Sequence, residues 1–234
     1  MTIKRLRFVR RAIDLPADGF GSRWAAYAAA LAAAVPLHAA PACVVHCIVR
    51  TGKGDRPFHG VAIEWFSDEA TMAAFDAAHA AHAEAHILDE TATVCVRVHS
   101  RAVFGQALLD EWHGTADGRS RIILLGVIHR QPTLSRAQFA DYWWSEHRPL
   151  ANALLPADVW PPIYVHDYVL PGEEWPWDGV GEFYDDSLAV AKARTNWADG
   201  DAALRIVADE EAFLVRDTRW SLVTDATVLV PRAV

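Results

Sequence analysis

The sequence predicts an α+β protein made of two similar halves, each with the element order β-α-β-β-α-β. Three observations support this prediction. Hydrophobic patterns typical of helices and of strands alternate along the 234 residues. Many side chains of the first half recur at a constant spacing in the second half. Runs such as residues 122–128 are apolar at consecutive positions, which is typical of strands covered on both faces.

The recurrence indicates an internal duplication. Phe20 precedes Phe139 by 119 residues (139 − 20 = 119), and Trp24 precedes Trp143 by the same interval. The copies differ at the position that matters for chemistry, where Ala28 stands in place of His147. The same spacing, or one residue more, relates Leu31 to Leu150, Pro57 to Pro176, Gly60 to Gly179, Val45-His46 to Val165-His166 and Asp89-Glu90 to Asp209-Glu210.

The predicted elements follow one another in the same order in both halves. In the first half, strands are predicted at residues 3–11, 43–51, 58–66 and 92–99, and helices at residues 19–34 and 68–88. In the second half, strands are predicted at residues 121–130, 162–170, 178–184 and 211–217, and helices at residues 135–152 and 186–207. A short additional strand is predicted at residues 226–231.

The predicted domain organisation has a degenerate first repeat at residues 1–100 and a second repeat at residues 121–234. Residues 101–120 are predicted to link the two. Within this linker, residues 103–112 have the pattern of a short helix, and residues 114–118 are rich in turn-forming residues.

Composition and charge narrow the class of partner. Hydrophobic residues make up 52% of the chain, which suits one large domain or two smaller ones. A net charge of −8 argues against nucleic acid or an anionic membrane as the partner. A small molecule is therefore expected, and the ten tryptophans are typical of pockets for flat apolar ligands as well as of ordinary cores.

The cysteines predict a reducing, cytoplasmic location. Cys43, Cys47 and Cys95 form neither a disulfide framework nor a zinc-binding pattern. Arg10-Arg11 and the alanine-rich segment at residues 24–42 superficially imitate a signal peptide, but the preceding residues have a strand pattern. We therefore expect no export.

One predicted helix carries the first candidate for chemistry. Ser135 can cap this helix, and Phe139, Trp143, His147 and Leu150 follow at spacings of four, four and three, which places them on one face. A histidine within an apolar stripe needs a polar partner or a cavity, because an unpaired buried polar group costs about 1–3 kcal/mol. Pro149, two residues after His147, is predicted to bend or end the helix just after the histidine.

The same segment resembles the EthD family, whose helix reads roughly S-x-x-x-F-x-x-Y-W-x-x-x-H-x-P-L. A second family element, D-G-[VI]-x-E followed by an acidic helix start, is similar to Asp178–Glu182 and Asp185-Asp186. The resemblance covers about residues 121–231. The residues that match the helix motif are Ser135, Phe139, Tyr142, Trp143, His147, Pro149 and Leu150.

This resemblance implies two ferredoxin-like repeats that together form a dimeric α+β barrel within one chain, with further pairing of whole chains left open. It also implies a cleft between the helices and the sheet, chemistry without a cofactor, and relatives linked to ether degradation or to the tailoring of aromatic polyketides. Other tandem barrels of the superfamily bind haem through a histidine, but only isolated histidines would support that role in this sequence.

His147 is the predicted general acid or base, since an imidazole titrates near neutral pH. A carboxylate or a second imidazole beside it would select its tautomer, and His166 and Glu182 are the predicted partners. His166 and Asp167 must face opposite sides of their strand, so at most one of them can reach a given cleft. The predicted pocket walls are Trp143, Trp144, His129 and Tyr184.

A second histidine cluster lies in the first half. His79, His82 and His86 are spaced by three and four residues, which on a continuous helix would form one stripe able to bind zinc or nickel. A complete site would need another ligand, and an alanine-rich helix that merely carries histidines explains the pattern better. No metal site is therefore predicted.

The predicted function is that of a cofactor-independent, EthD-like enzyme acting on a small aromatic or polyketide-like molecule. Acid–base chemistry fits the residues best: a lyase reaction such as dehydration or decarboxylation, or an isomerisation or cyclisation. A cofactor-free monooxygenase and a non-catalytic small-molecule binding protein are the alternatives. Motifs for dinucleotides, nucleoside triphosphates and serine hydrolases do not occur. One open cleft is expected, in the second repeat, and a filled one in the first.

Overall fold

The computed structural model describes residues 2–36, 39–50, 57–82, 85–115, 120–195 and 200–232. The strands are β1 (Ile3–Val9), β2 (Cys43–Val49), β3 (Gly60–Phe66), β4 (Val94–Phe104), β5 (Arg121–Ile128), β6 (Ile163–Val169), β7 (Gly179–Asp185) and β8 (Trp220–Val230). The α-helices are α1 (Phe20–Ala34), α2 (Glu69–Ala81), α3 (Gln106–His113), α4 (Arg136–Tyr142), α5 (Arg148–Leu154), α6 (Leu188–Thr195) and α7 (Asp201–Phe213). A π-helical turn, Trp143–His147, joins α4 to α5.

The chain divides into two compact units. Unit 1 comprises Met1–Val98, Leu109–Ser120 and Thr224–Val234, and unit 2 comprises His99–Leu108 and Arg121–Val223. The long strands β4 and β8 therefore contribute residues to both units. As a result, the hydrogen-bonded strand order β1-β3-β2-β8-β5-β7-β6-β4 returns to its first strand, which is the topology of a closed eight-stranded barrel.

Unit 1 has the strand order β4-β1-β3-β2-β8, and β1 pairs antiparallel with both β3 and β4. α1 begins after Gly19, whose φ of 85° is a conformation that favours glycine. α2 begins after Asp68, whose carboxylate accepts a hydrogen bond from the Thr71 backbone N–H. The large buried side chains that these helices contribute to the core are Phe20, Trp24, Tyr27, Leu31 and Phe75.

Unit 2 has the strand order β8-β5-β7-β6-β4. Its long helical segment begins at Ser135, whose hydroxyl accepts a hydrogen bond from the Gln138 N–H while the Gln138 side chain accepts one from the Ser135 N–H. This capping box confirms the start that the sequence predicted. Phe139 and Trp143 then pack against Phe213 of α7 in the core of the unit.

Several contacts recur in both units. Arg11 and Arg130 each donate through Nη1 to the carbonyl oxygens one and four residues further along the chain. A tryptophan ring also lies over a strand histidine and against a strand glycine in each unit. The two sets are Trp24, His46 and Gly60 in unit 1, and Trp143, His166 and Gly179 in unit 2. These parallels support the inferred duplication.

One part of the predicted element order is wrong. The strand predicted at residues 211–217 is the end of α7 followed by a 3-10 turn at Arg216–Thr218. The last strand is β8, which is eleven residues long and includes the short strand predicted at residues 226–231. The amphipathic pattern of α7, with Ala203, Ile206 and Phe213 buried, outweighs the strand propensity of its final residues.

The predicted linker is mostly regular structure. β4 continues to Phe104, and α3 covers Gln106–His113 within the region where a short helix was predicted. Residues 116–119, in the turn-rich part, lie outside the described residues.

The supposed match of Asp89-Glu90 with Asp209-Glu210 is wrong. Asp209 lies within α7, whereas Asp89 follows the short 3-10 helix Ala85–Ile87.

Among the described residues, the helices are too short or too polar to cross a lipid bilayer.

Candidate active site

His147 lies in the π-helical turn between α4 and α5. In this turn the Arg148 N–H bonds to the carbonyl of Trp143, five residues earlier, rather than four. The cause is Pro149, which has no N–H to donate and whose ring would clash with the carbonyl of Ser145 in a regular α-helix. The proline predicted to bend or end the helix therefore widens one turn, and the helix continues to Leu154.

A carboxylate from another helix holds the His147 ring. The Nδ1 atom of His147 is 2.6 Å from Oδ2 of Asp209 in α7. The second carboxylate oxygen, Oδ1, accepts a hydrogen bond from the Tyr142 hydroxyl at 3.0 Å. Because an ionised carboxylate can only accept, Nδ1 carries the proton and Nε2 is left with a free electron pair.

The three polar side chains form a partly buried network. The side chains of His147 and Asp209 are 13% and 11% exposed, so their interaction is only weakly screened by water. Burial and the hydrogen bond to Asp209 raise the pKa of Tyr142 above its ordinary value. Tyr142 therefore stays protonated and remains a donor to Asp209 at neutral pH.

His147 lines a cavity of ≈ 460 Å³ in unit 2. This volume is in the range of small-molecule sites, which is about 300–1,000 Å³. The polar side chains on the wall, among the described residues, are His147, Glu210, Arg219 and Ser221. The aromatic side chains on the wall are Trp143, Trp160, Tyr164, Phe183, Phe213 and Trp220.

Two glycines make room for this cavity. Gly126 of β5 and Gly181 of β7 are directly paired across the sheet, and both line the cavity. A Cβ atom at Gly126 would meet nothing closer than Phe183 at 3.9 Å. A side chain at position 126 would therefore occupy the cavity without disturbing the backbone, which makes this glycine a site for blocking variants.

His166, a predicted catalytic partner, lies behind the cavity wall. Its ring is stacked on Trp143 at 3.9 Å between centroids, and its Nδ1 is 3.0 Å from the Tyr168 hydroxyl. The ring is fully buried, and this burial lowers its pKa well below 6.5, so the ring is neutral. His166 is not among the residues that line the cavity and packs against the back of Trp143.

Glu182 and Tyr184, also predicted for the site, are on the other face of β7. Gly181 and Phe183 line the cavity, and side chains alternate along a strand, so their neighbours point to the opposite face. There the Tyr184 hydroxyl donates to Oε2 of Glu182 at 2.8 Å, and both residues are fully buried. The structure thus does not bring Glu182 to His147.

The remaining predicted wall residues separate into two groups. Trp143 lines the cavity, as expected. Trp144 does not line it; the guanidinium groups of Arg101 and Arg148 are 3.5 Å and 4.1 Å from its ring centroid. His129 follows β5 and packs beside Trp177, also away from the cavity wall.

The partner of His147 was not among the predicted residues. Asp209 is 62 residues away in the chain, and local spacing cannot reveal such a pairing. A partial signal was available in α7, where Ile206, Glu210 and Phe213 form a stripe at helical spacing that lines the cavity. Asp209 lies beside this stripe.

The corresponding space in unit 1 is nearly filled. Beneath α1, where Ala28 replaces the histidine, the cavity is only ≈ 30 Å³. Arg7, Glu64 and His79 occupy its walls, and the Arg7 guanidinium is 3.2 Å from the Glu64 carboxylate. This agrees with the expectation of one open cleft in the second half and a filled one in the first.

The histidine stripe of unit 1 does not form. α2 ends at Ala81, so His82 and His86 are not on one helical face with His79. His79 is buried and lies edge-on to Tyr27, with ring centroids 5.4 Å apart. Within the described ranges, no group of three or more histidine, cysteine, aspartate or glutamate side chains is placed to hold a metal ion.

Comparison with known proteins gives one family match and several similar structures. Residues 131–217 match the EthD domain, and no curated protein matches the sequence. The fold is similar to that of a monooxygenase-like protein from Lactobacillus acidophilus NCFM, with 10% identity, a TM-score of 0.53 and coverage of 97% of this chain and 95% of that one. It is also similar to an anthrone oxidase-like protein, with 12% identity, a TM-score of 0.58 and coverage of 99% and 95%.

A third similar structure is the complex of chlorite dismutase from Candidatus Nitrospira defluvii with imidazole. It has 11% identity and a TM-score of 0.54, and the match covers 97% of this chain and 92% of that one. At such low identities, these three similarities show a shared fold and nothing about activity. The family match is more specific, because it spans the helical segment that carries His147 and the whole of α7 with Asp209. Over residues 131–217, this chain is therefore similar to the EthD domain.

Proposed function

We propose that this protein is a cofactor-independent enzyme that acts on a small aromatic molecule by acid–base chemistry, with His147 as the group that transfers the proton. The observation that carries this proposal is the hydrogen bond between His147 and Asp209 at the wall of an apolar cavity of ≈ 460 Å³. A neutral imidazole whose Nδ1–H is held by a carboxylate is a general base with its Nε2 available to a ligand.

The proposed reaction begins with proton abstraction. Nε2 of His147 takes a proton from a substrate carbon next to a carbonyl group, and the electron pair of that C–H bond moves into the carbonyl as an enolate. The imidazolium that forms is stabilised by Asp209, whose charge is only partly screened. Nε2 then returns the proton to another carbon, giving an isomer, or to a departing hydroxyl group, giving water and an alkene.

The walls support an aromatic substrate. Trp143, Tyr164, Phe183 and Phe213 all face the same space, and flat rings stack well on such side chains. The paired glycines at positions 126 and 181 have no side chains, so the sheet side of the cavity has room for a flat ring. A lyase such as a dehydratase is the first reaction to test, since it needs only the transfer of one proton and the loss of water.

Proton exchange tests the proposal without knowledge of the natural substrate. We expect the protein to accelerate deuterium incorporation next to the carbonyl of 1-tetralone in D₂O, measured by mass spectrometry. His147→Gln should lose about 10²–10⁴-fold of this acceleration, because it removes the base. Asp209→Asn should show a large loss as well, because it favours the wrong tautomer of the ring.

Gly126→Leu serves as a matched control, because it blocks the cavity and leaves the His147–Asp209 pair unchanged. It should abolish both exchange and binding of 1-tetralone, whereas His147→Gln should retain binding. Undiminished exchange in His147→Gln would contradict the proposal. Binding without any exchange by the wild-type protein would instead indicate a non-catalytic binding protein.

The His147–Asp209 pair at the cavity wall also supports a second candidate reaction. In it, the same proton abstraction by His147 would give a carbanion that reacts with molecular oxygen. Oxygen uptake in the presence of anthrone, measured with an electrode, distinguishes this cofactor-free monooxygenase from a lyase or isomerase. Cofactor independence and a cytoplasmic location stay predictions, and metal analysis and absorption spectra of the active protein test the first of them.

A further inference from the structure

We infer that Arg219 gives the cavity a preference for aromatic ligands that carry an acidic group, such as a carboxylate or a sulfonate. This inference rests on the proposed function, because it concerns the ligand class of the same cavity. It goes further in naming a charged feature of the ligand and the residue that would recognise it.

Arg219 lies at the boundary between two elements. It follows the 3-10 turn Arg216–Thr218 and precedes β8. Its backbone N–H donates a hydrogen bond to the carbonyl of Arg216. Its side chain lines the cavity and is 45% exposed, so it lies at the rim rather than in the interior. A ligand group that contacts it can therefore stay partly hydrated.

A carboxylate holds Arg219 in place. Oε2 of Glu210 accepts a hydrogen bond from Nη1 of Arg219 at 2.9 Å, and Nε of Arg216 is 3.0 Å from the same oxygen. Arg219 uses only Nη1 in its hydrogen bonds to the described residues, which leaves Nε and Nη2 as donors. Two guanidinium donors are the geometry that suits a carboxylate or sulfonate.

Arg219 shares its carboxylate partner with a second arginine. Two guanidinium groups share the single carboxylate of Glu210. The next acidic side chain, Glu211, is 4.0 Å from Nη1 of Arg216 and is 67% exposed, so water largely screens its charge. Among the described residues of the cavity wall, Arg219 is the one that carries a guanidinium group. An acidic group of a ligand would thus bind the guanidinium donors of Arg219 that Glu210 leaves unused.

Two fluorescent probes of similar shape test the inference. 8-Anilinonaphthalene-1-sulfonate is an aromatic anion, and N-phenyl-1-naphthylamine is its neutral counterpart. Arg219→Gln should weaken binding of the anion about tenfold and leave the affinity for the neutral probe within about twofold, because only the charge-assisted bonds are lost. Arg121→Gln is the matched control: it removes another arginine of unit 2, whose Nη1 pairs with Asp186, and it should change neither affinity.

Gly126→Leu shows whether the probes occupy the cavity, and both should lose affinity in this variant. An equal loss of both probes in Arg219→Gln, or no loss of either, would overturn the role of Arg219 alone. Unchanged binding of both probes to Gly126→Leu would contradict the cavity as the ligand site, and with it the proposed function. Thermal unfolding of each variant confirms that it is folded.

Discussion

At the scale of single residues, the central feature is a carboxylate shared by two donors. Asp209 accepts hydrogen bonds from His147 through one oxygen and from Tyr142 through the other. The two donors compete for its negative charge, because each stabilises the ionised form. Tyr142 is therefore a positioning residue that also adjusts how strongly Asp209 stabilises the imidazolium.

Removal of this hydroxyl should change the pH dependence of exchange. In Tyr142→Phe, Asp209 loses one donor, becomes a stronger acceptor and stabilises protonated His147 more. Since the neutral ring is the base, the acidic limb of the rate profile should move to higher pH. Exchange of 1-tetralone protons measured between pH 5 and 9 checks this, with Tyr27→Phe in unit 1 as a control. A profile identical to that of the wild type would show that Tyr142 has no such role.

The strand residues predicted as partners of His147 do not reach it. His166 and Glu182 were predicted partners because they are polar residues in predicted strands, yet one is stacked behind Trp143 and the other is on the opposite face of β7. A strand pattern shows that neighbours alternate, but not which face meets the helices. That choice depends on the packing of Gly179 beneath Trp143 and Phe139 of the helical segment.

At the scale of secondary-structure elements, the π-helical turn aligns His147 with Asp209. Pro149→Ala restores an N–H that can bond to the carbonyl of Ser145, and it removes the ring that opposes a regular turn. We expect this turn to relax towards α-helix and to displace His147 from Asp209. Proton exchange should then fall at least about tenfold, while the free energy of unfolding stays equal or rises, since a proline inside a helix is unfavourable.

Pro171→Ala is the control for this prediction, because Pro171 lies in an exposed turn after β6. It should leave exchange unchanged. Chemical denaturation followed by tryptophan fluorescence gives the free energy of unfolding for both variants. Full activity in Pro149→Ala would show that the π-helical turn is not required to orient the histidine.

Among the secondary-structure elements, the helix that begins after Ser135 was predicted correctly and the C-terminal strand was not. Ser135, Phe139 and Trp143 define the start and the buried face of their helix through local spacing alone, and the structure agrees. The C-terminal strand was misplaced, because residues 211–217 have an apolar pattern that suits either a strand or the last turn of a helix. Only the packing of Phe213 in the core resolves this ambiguity.

At the scale of the whole molecule, buried histidines link stability to pH. Burial lowers the pKa of His46 to about 3, of His113 to about 3 and of His79 to about 4, against an ordinary value of 6.5. Between about pH 6.5 and 4, the unfolded chain therefore binds protons that the folded chain does not. Stability should fall as the pH falls through this window, by up to about 1.4 kcal/mol per pH unit for each histidine.

His113 allows a direct test. Its ring is fully buried and neither nitrogen is hydrogen-bonded to a described residue, while Trp65 packs against it at 4.6 Å. His113→Phe should therefore be neutral or stabilising at pH 7 and should make the loss of stability towards pH 5 shallower. Urea denaturation at both pH values measures this. His86→Gln, at an exposed position, should keep the wild-type pH dependence, and a steeper dependence in His113→Phe would contradict the argument.

The sequence by itself determined the helices and most strands, the capping box at Ser135, the histidine on an apolar helical face and the resemblance to the EthD family. Each of these depends on residues close together in the chain. The tertiary structure alone decided that Asp209 is the partner of His147, that β4 and β8 belong to both units, and that one cavity is open while its counterpart is filled. These outcomes depend on which side chains distant segments bring into contact, and on the space left between them, which no local spacing of residues specifies.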